Sequence, residues 1–151
     1  MVQIHHSGVV CVAREIAFDY LDDYRNVTNW MFGVTQFEPV SDVTYGLGVQ
    51  FATSMQVGPK SVRSVVEITE WQQNRLLTLE SISGFKNSSS WEFEPLNNDE
   101  TRLTVDFGYT LPGGLAGKAL DRLLEPFVGQ AIRHTESTLR SKIEGLYFDQ
   151  V

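Results

Sequence analysis

The sequence has a single cysteine, no long apolar run and few basic residues, and each of these shortages excludes or disfavours a class of protein. Its 151 residues include a single cysteine, Cys11, so no disulfide can form within the chain and no cysteine cluster can bind a metal. A lone cysteine is typical of a reducing compartment. No stretch approaches the roughly 20 apolar residues of a membrane-spanning helix. Basic residues are also few, 12 against 19 acidic ones, and the net charge of −7 disfavours nucleic acid and anionic membranes as main partners.

Other sequence signals are missing as well. The start of the sequence, MVQIHHSGVVCVA, has no basic region followed by a long apolar run, so we expect no signal peptide and a cytoplasmic protein. The glycines of LPGGLAGK are not followed by the Lys-Ser/Thr pair of a phosphate loop. His5 and His6 are adjacent and would point to opposite faces of a strand, and no other spacing resembles a metal site. We expect neither a metal nor a cofactor.

What the sequence does contain is long stretches that alternate between polar and apolar residues. In RLTVDFGYTL, residues 102–111, the apolar positions share one parity, which predicts a strand with one buried face. The same period of two, broken by turn-forming segments, predicts six strands between residues 34 and 111 and one more before them. These predicted strands are 2–12, 34–41, 48–57, 61–71, 76–83, 88–95 and 101–111.

Helical spacing replaces this alternation in two places. Residues 14–24 and 26–31 are predicted to form two short helices after the first strand, with Trp30 facing inward. After PGG, residues 112–114, a helix of about 30 residues is predicted, with a kink or restart at Pro126. One helix about 10 Å wide cannot cover a flat sheet of seven antiparallel strands, so the sheet must curl around it. We expect one α+β domain over residues 1–151.

Three segments of the chain resemble the START-like proteins, which include the polyketide cyclase/dehydrase and lipid-transport group known as SRPBCC. In AREIAFDYLDDYRNVTNWMFGV, Asp23, Trp30, Gly33 and Val34 occupy the places of that group's helix-ending Asp, following Trp and Gly-Val strand entry. VVEITEWQQNRLLTLES resembles the group's next strand pair, and WEFEPLNNDETRLTVDFGYTLPGG resembles its last hairpin and glycine lead. The resemblance implies a helix-grip fold, a curved sheet around a long C-terminal helix, with an internal apolar cavity.

Strand parity and helical spacing predict which side chains line such a cavity. The set combines large rings with methionine and isolated hydroxyls, which is typical of a pocket for an apolar small molecule. The predicted ligand-binding residues are Trp30, Phe37, Phe51, Thr53, Met55, Ser64, Leu79, Ser81, Trp91, Phe107, Tyr109, Leu124, Phe127, Ala131 and Thr135. The alternative for any single one of these residues is that its side chain fills a solid core and lines no cavity.

Three classes of function remain open. The first is a non-enzymatic carrier or sensor of a hydrophobic ligand (lipid, isoprenoid, quinone or polyketide), acting as a monomer or weak dimer without stable insertion into a membrane. The second is an aromatase/cyclase-like enzyme that uses Tyr109, His134 or Thr135 as proton donor. The inward strand positions hold no convincing carboxylate, which disfavours acid–base chemistry. The third is a protein-interaction module of the chaperone-activator type, with an apolar patch around Phe32, Phe85 and Leu115.

Overall fold

The computed structural model describes residues 2–31, 33–57, 60–110, 133–134, 137–138 and 140–145. Its elements are, in chain order, β1 (Val2–Val10), α1 (Arg14–Asp22), a 3-10 helix (Tyr24–Asn26), α2 (Val27–Trp30), β2 (Val34–Pro39), β3 (Gln50–Val57), β4 (Lys60–Gln72), β5 (Leu76–Gly84), β6 (Asn87–Asn97) and β7 (Glu100–Tyr109). Residues 133–134, 137–138 and 140–145 are helical. Most of the predicted C-terminal helix, with its kink at Pro126, lies outside the described residues. No helix in the described part is long and apolar enough to cross a membrane.

The seven strands form one antiparallel sheet in the order β1-β7-β6-β5-β4-β3-β2. Two or three residues separate each pair of consecutive strands from β3 to β7, and ten separate β2 from β3; all of these consecutive strands are antiparallel neighbours. The first strand lies beside the last, from Val2 opposite Tyr109 to Val10 opposite Thr101. The predicted α+β fold, a curved antiparallel sheet of seven strands with short helices after the first strand, is confirmed.

The curvature of the sheet has a local cause in the β4–β5 ladder. Its register shifts between Val65 and Val66 and again between Ile68 and Glu70. Such bulges bend a strand and increase its twist. At the end of β5, Gly84 has a φ of +77°, and a Cβ there would lie 2.4 Å from the backbone oxygen of Arg63. Only glycine fits this close approach of two strands.

The core lies on the concave face of the sheet, beneath α1. Phe18 is fully buried, and its ring meets Phe93 and Trp71 edge-on at centroid distances of 5.2 and 5.8 Å. The C-terminal helical segment reaches the same core, because Ile143 is also fully buried in it. Its neighbour Glu144 accepts a 2.9 Å hydrogen bond from the backbone N–H of Cys11.

The two short helices differ from their predicted bounds. The first ends at Asp22 rather than residue 24, because Asp23 caps the 3-10 helix by accepting a 3.0 Å hydrogen bond from the backbone N–H of Arg25. The Arg25 guanidinium also donates to the same carboxylate at 2.8 and 2.9 Å. The second predicted helix is therefore a 3-10 turn followed by one α-helical turn, and both turns contact β2.

Candidate functional site: an apolar pocket with one carboxylate

An apolar pocket lies between the short helices and the concave face of the sheet. It spans about 390 Å³ of space between atoms, part of it open to solvent, whereas the volume that water-sized molecules can occupy is only about 20 Å³. That volume is room for about one water. A drug-sized ligand needs roughly 300–1,000 Å³, so its entry requires the lining side chains to move apart. The described lining consists of Leu21, Asp22, Tyr24, Val27, Met31, Phe37, Phe51, Ile68, Leu77, Leu79 and Trp91.

Aromatic rings from three elements form one wall of this pocket. Phe37 of β2 stacks on Phe51 of β3 with centroids 4.5 Å apart and an interplanar angle of 27°. Tyr24 of the 3-10 helix tilts against Phe51 at 5.9 Å. Phe51 is 3% exposed, whereas Phe37 and Tyr24 are half-buried. These are flat apolar surfaces that can stack with a flat ligand.

A single charged residue, Asp22, is found in the described lining of the pocket. The indole Nε1 of Trp71 donates a 3.0 Å hydrogen bond to Oδ1 of this carboxylate. The other oxygen, Oδ2, is buried and has no hydrogen-bond partner among the described residues. An unpartnered carboxylate oxygen is costly to bury, so it is a strong potential acceptor for a bound molecule.

The surroundings of Asp22 also change its protonation. Burial raises the pKa of this carboxyl, and the nearby charges of Asp19 and Asp23 raise it further. The hydrogen bond from Trp71 lowers the pKa, as does the nearby hydroxyl of Tyr45. Burial prevails, and the carboxyl holds its proton more tightly than an exposed aspartate does.

The absence of a carboxylate from the inward strand positions does not extend to the helices, because Asp22 of α1 lines the pocket. Strand parity covers only the strand positions, whereas Asp22 lies on α1. Ala17, Phe18 and Leu21 are the buried residues of that helix, and Asp22 follows Phe18 by four positions, which places both on one face. The apolar spacing of α1 is therefore the sequence signal that could have identified it.

Four of the predicted ligand-binding residues come together in this pocket: Phe37, Phe51, Leu79 and Trp91. Phe107 and Tyr109 lie elsewhere on the sheet. Their rings are 6.0 Å apart, and Phe85 tilts against Tyr109 at 6.2 Å. Tyr109 is buried and Phe107 half-buried. Met55 is partly buried and packs against the core.

Three of the four predicted serine and threonine residues, Thr53, Ser64 and Ser81, are joined in a hydrogen-bond network. The hydroxyls of Thr53 and Ser64 are 2.8 Å apart on neighbouring strands. The side chain of Asn87 donates to Ser64 Oγ at 3.3 Å, and its backbone N–H donates to Ser81 Oγ at 3.0 Å. Asn87 was not predicted, because parity identifies the face of a side chain but not its partner. Each hydroxyl therefore already has a protein partner.

The remaining predicted site residues are at the C-terminal end or in α2. Leu124, Phe127, Ala131 and Thr135 lie outside the described residues. His134 is helical and exposed. Trp30 ends α2, and its side chain is also outside the described part.

Of the three residues expected to form the apolar patch of an interaction module, only Phe85 is among the described residues. Phe32 and Leu115 lie outside the described residues. Phe85 is half-buried against Tyr109 rather than exposed. The large exposed apolar side chains nearest to one another in sequence lie instead in the β2–β3 connection: Val40, Val43, Tyr45 and Leu47.

Solved structures of other proteins share this fold over nearly the whole chain. A protein from Thermus thermophilus superposes with a TM-score of 0.81 at 18% identity, covering 96% of this chain and 99% of its own. A START superfamily protein from Mycobacterium smegmatis gives 0.74 at 17% identity, covering 95% and 98%. The Zhui aromatase/cyclase from Streptomyces sp. R1128 also gives 0.74, at 14% identity, covering 95% and 93%. No curated protein matches the sequence.

The curved sheet and these structural likenesses show that the chain has the helix-grip fold of START-like proteins. The sequence itself matches a family model described as polyketide cyclase/dehydrase and lipid transport, over residues 1–144. The chain belongs to that family, as its three resembling segments predict.

Proposed function

We propose that this protein binds a hydrophobic small molecule between the sheet and its helices and serves as a carrier or sensor of that molecule. The aromatic wall of the pocket carries the proposal, because burial of apolar ligand surface there is favourable by about 25 cal/mol per Å². Lipids, isoprenoids, quinones and polyketides all offer such surface. A cytoplasmic location and a monomer or weak dimer are part of the same proposal, as is a single domain spanning residues 1–151.

A dye titration with a pocket-filling variant tests this proposal. The neutral dye Nile red is added to the wild-type protein and to Met31→Trp, which introduces a large ring at a half-buried pocket residue. Leu47→Trp is the matched control, since Leu47 is 65% exposed in a loop. We expect saturable binding that the Met31 variant loses and the Leu47 variant keeps, with both variants melting cooperatively. Absence of binding to wild type, or equal binding by all three proteins, would contradict the proposal.

A second candidate is a cyclase- or dehydratase-like activity in the same pocket. The observation that favours it is Asp22, because a buried carboxyl with a raised pKa can exchange a proton with a bound substrate nearer to neutral pH. Tyr109, His134 and Thr135 remain predicted proton donors. The test is turnover of a reactive poly-β-ketone chain. Full activity in Asp22→Asn would exclude a role for Asp22 in this chemistry, and full activity in the double variant Tyr109→Phe, His134→Ala would exclude those two residues.

A further inference from the structure

Asp22 is the one charged residue in the described lining of the pocket, and its two carboxylate oxygens differ in their hydrogen bonding. Asp22 Oδ1 is occupied by Trp71 Nε1 at 3.0 Å, whereas Oδ2 is buried without a partner among the described residues. An indole N–H can only donate, so Trp71 fixes which oxygen is left for a ligand. As a carboxylate, Asp22 can only accept.

We propose that Asp22 Oδ2 accepts a hydrogen bond from the bound molecule, so that the pocket selects flat apolar molecules carrying a hydroxyl or other neutral hydrogen-bond donor. This inference rests on the proposed function, since it names the chemical class of the ligand in the same pocket. The rings of Phe37 and Phe51 provide the apolar contact, and Asp22 provides orientation. A few convergent polar groups in an apolar pocket typically fix the orientation of a ligand in this way.

The charges around the pocket disfavour the opposite ligand class. Asp19 and Asp23 flank Asp22, and both act on it as negative charges. The described lining contains no cationic residue to oppose them. A ligand that presents a carboxylate to this end of the pocket would therefore be repelled by Asp22 and would lose its own solvation without compensation. Fatty acids bound by their head group are thus excluded from this orientation.

Matched naphthalene derivatives test the inference at pH 7 by displacement of Nile red. The donor is 2-naphthol, its capped partner is 2-methoxynaphthalene, and the anion is 2-naphthoate. Hydrogen bonds to charged groups contribute enough to favour the donor by about 10- to 100-fold in Kd. We expect the wild-type protein to bind 2-naphthol most tightly and 2-naphthoate most weakly.

The variant Asp22→Asn should abolish or reverse the preference for 2-naphthol over 2-methoxynaphthalene. Trp71 must still face the amide oxygen, so the amide NH₂ occupies the place of Oδ2 and presents a donor to the ligand. The capped ether should then bind as well as 2-naphthol or better. Asp19→Asn is the control, since it removes the same charge from an exposed residue on the same helix and should leave the preference unchanged. Tyr45→Phe should also leave the preference unchanged, because Oδ2 has no hydrogen-bond partner among the described residues and the substitution leaves that oxygen in place.

Failure of this inference is distinguishable from failure of the proposed function. A protein that binds Nile red but shows the same preference in wild type and Asp22→Asn keeps its pocket and overturns the role of Asp22. Loss of the preference in Tyr45→Phe would also overturn it, by assigning the selection to the tyrosine. A protein that binds neither the dye nor any of the naphthalenes overturns both.

Discussion

Replacing each of two buried phenylalanines by alanine should distinguish the closely packed part of the core from the part that borders the pocket. Phe18 is fully buried and packed edge-on between Phe93 and Trp71. Phe18→Ala should therefore cost the full value for a core ring, about 3–5 kcal/mol, because it empties a closely packed site. For a chain of this length that loss corresponds to a melting temperature lowered by roughly 6–20 °C. Binding of Nile red should persist where the protein remains folded.

Phe51→Ala should behave differently although Phe51 is only 3% exposed. One side of its ring stacks on Phe37 at 4.5 Å, and the ring also borders the pocket. Part of the cavity that truncation creates is therefore already present, so the free energy of unfolding should fall by less than about 3 kcal/mol. Removal of the stacking surface should instead weaken Nile red binding. The measurements are urea unfolding and dye titration of both variants. Equal losses of stability, with dye binding unaffected in both, would mean that the side chains fill this space themselves.

Three further predictions concern single residues. Asp22→Asn should raise the melting temperature at pH 7, because it removes a buried charge and keeps the hydrogen bond from Trp71. This gain in melting temperature should vanish as the pH falls below the raised pKa of Asp22, because the wild-type carboxyl is then neutral as well. Asp23→Asn should instead destabilise the protein by up to about 1 kcal/mol at neutral pH, because Arg25 lowers the pKa of Asp23. In the wild-type protein this stabilisation is lost only as the pH falls through the lowered pKa. Gly84→Ala should destabilise the protein by roughly 1–3 kcal/mol in urea unfolding, because its Cβ would clash with backbone of β4 at a positive φ. An unchanged midpoint for Gly84→Ala would mean that the strands move apart freely.

Alternation in the sequence predicted the strands closely because parity is a local property. Residues 101–111 were expected as a strand, and β7 runs from Glu100 to Tyr109. The bulges were not visible, because a register shift such as that between Ile68 and Glu70 depends on the partner strand. The 3-10 turn was likewise missed, since its cap depends on the side-chain geometry of Asp23.

The candidate site was predictable in its apolar part and not in its polar part. Phe37, Phe51 and Trp91 share inward parities on three strands, and a curved sheet brings such positions together. Asp22 was missed because a carboxylate at the end of an amphipathic helix is ordinarily on the solvated face. Its carboxylate accepts a hydrogen bond from Trp71, a residue 49 positions away in the chain. No local sequence pattern predicts a contact between two residues that far apart.

The most direct test of the pocket is methyl NMR of the protein titrated with Nile red. A ligand between the short helices and the sheet should cause saturable shifts at the methyl groups of Met31, Leu77 and Leu79, which line the pocket. The methyl groups of the exposed residues Leu47 and Leu96 should not shift. Shifts confined to those exposed methyl groups, or none at any methyl group, would contradict binding in this pocket.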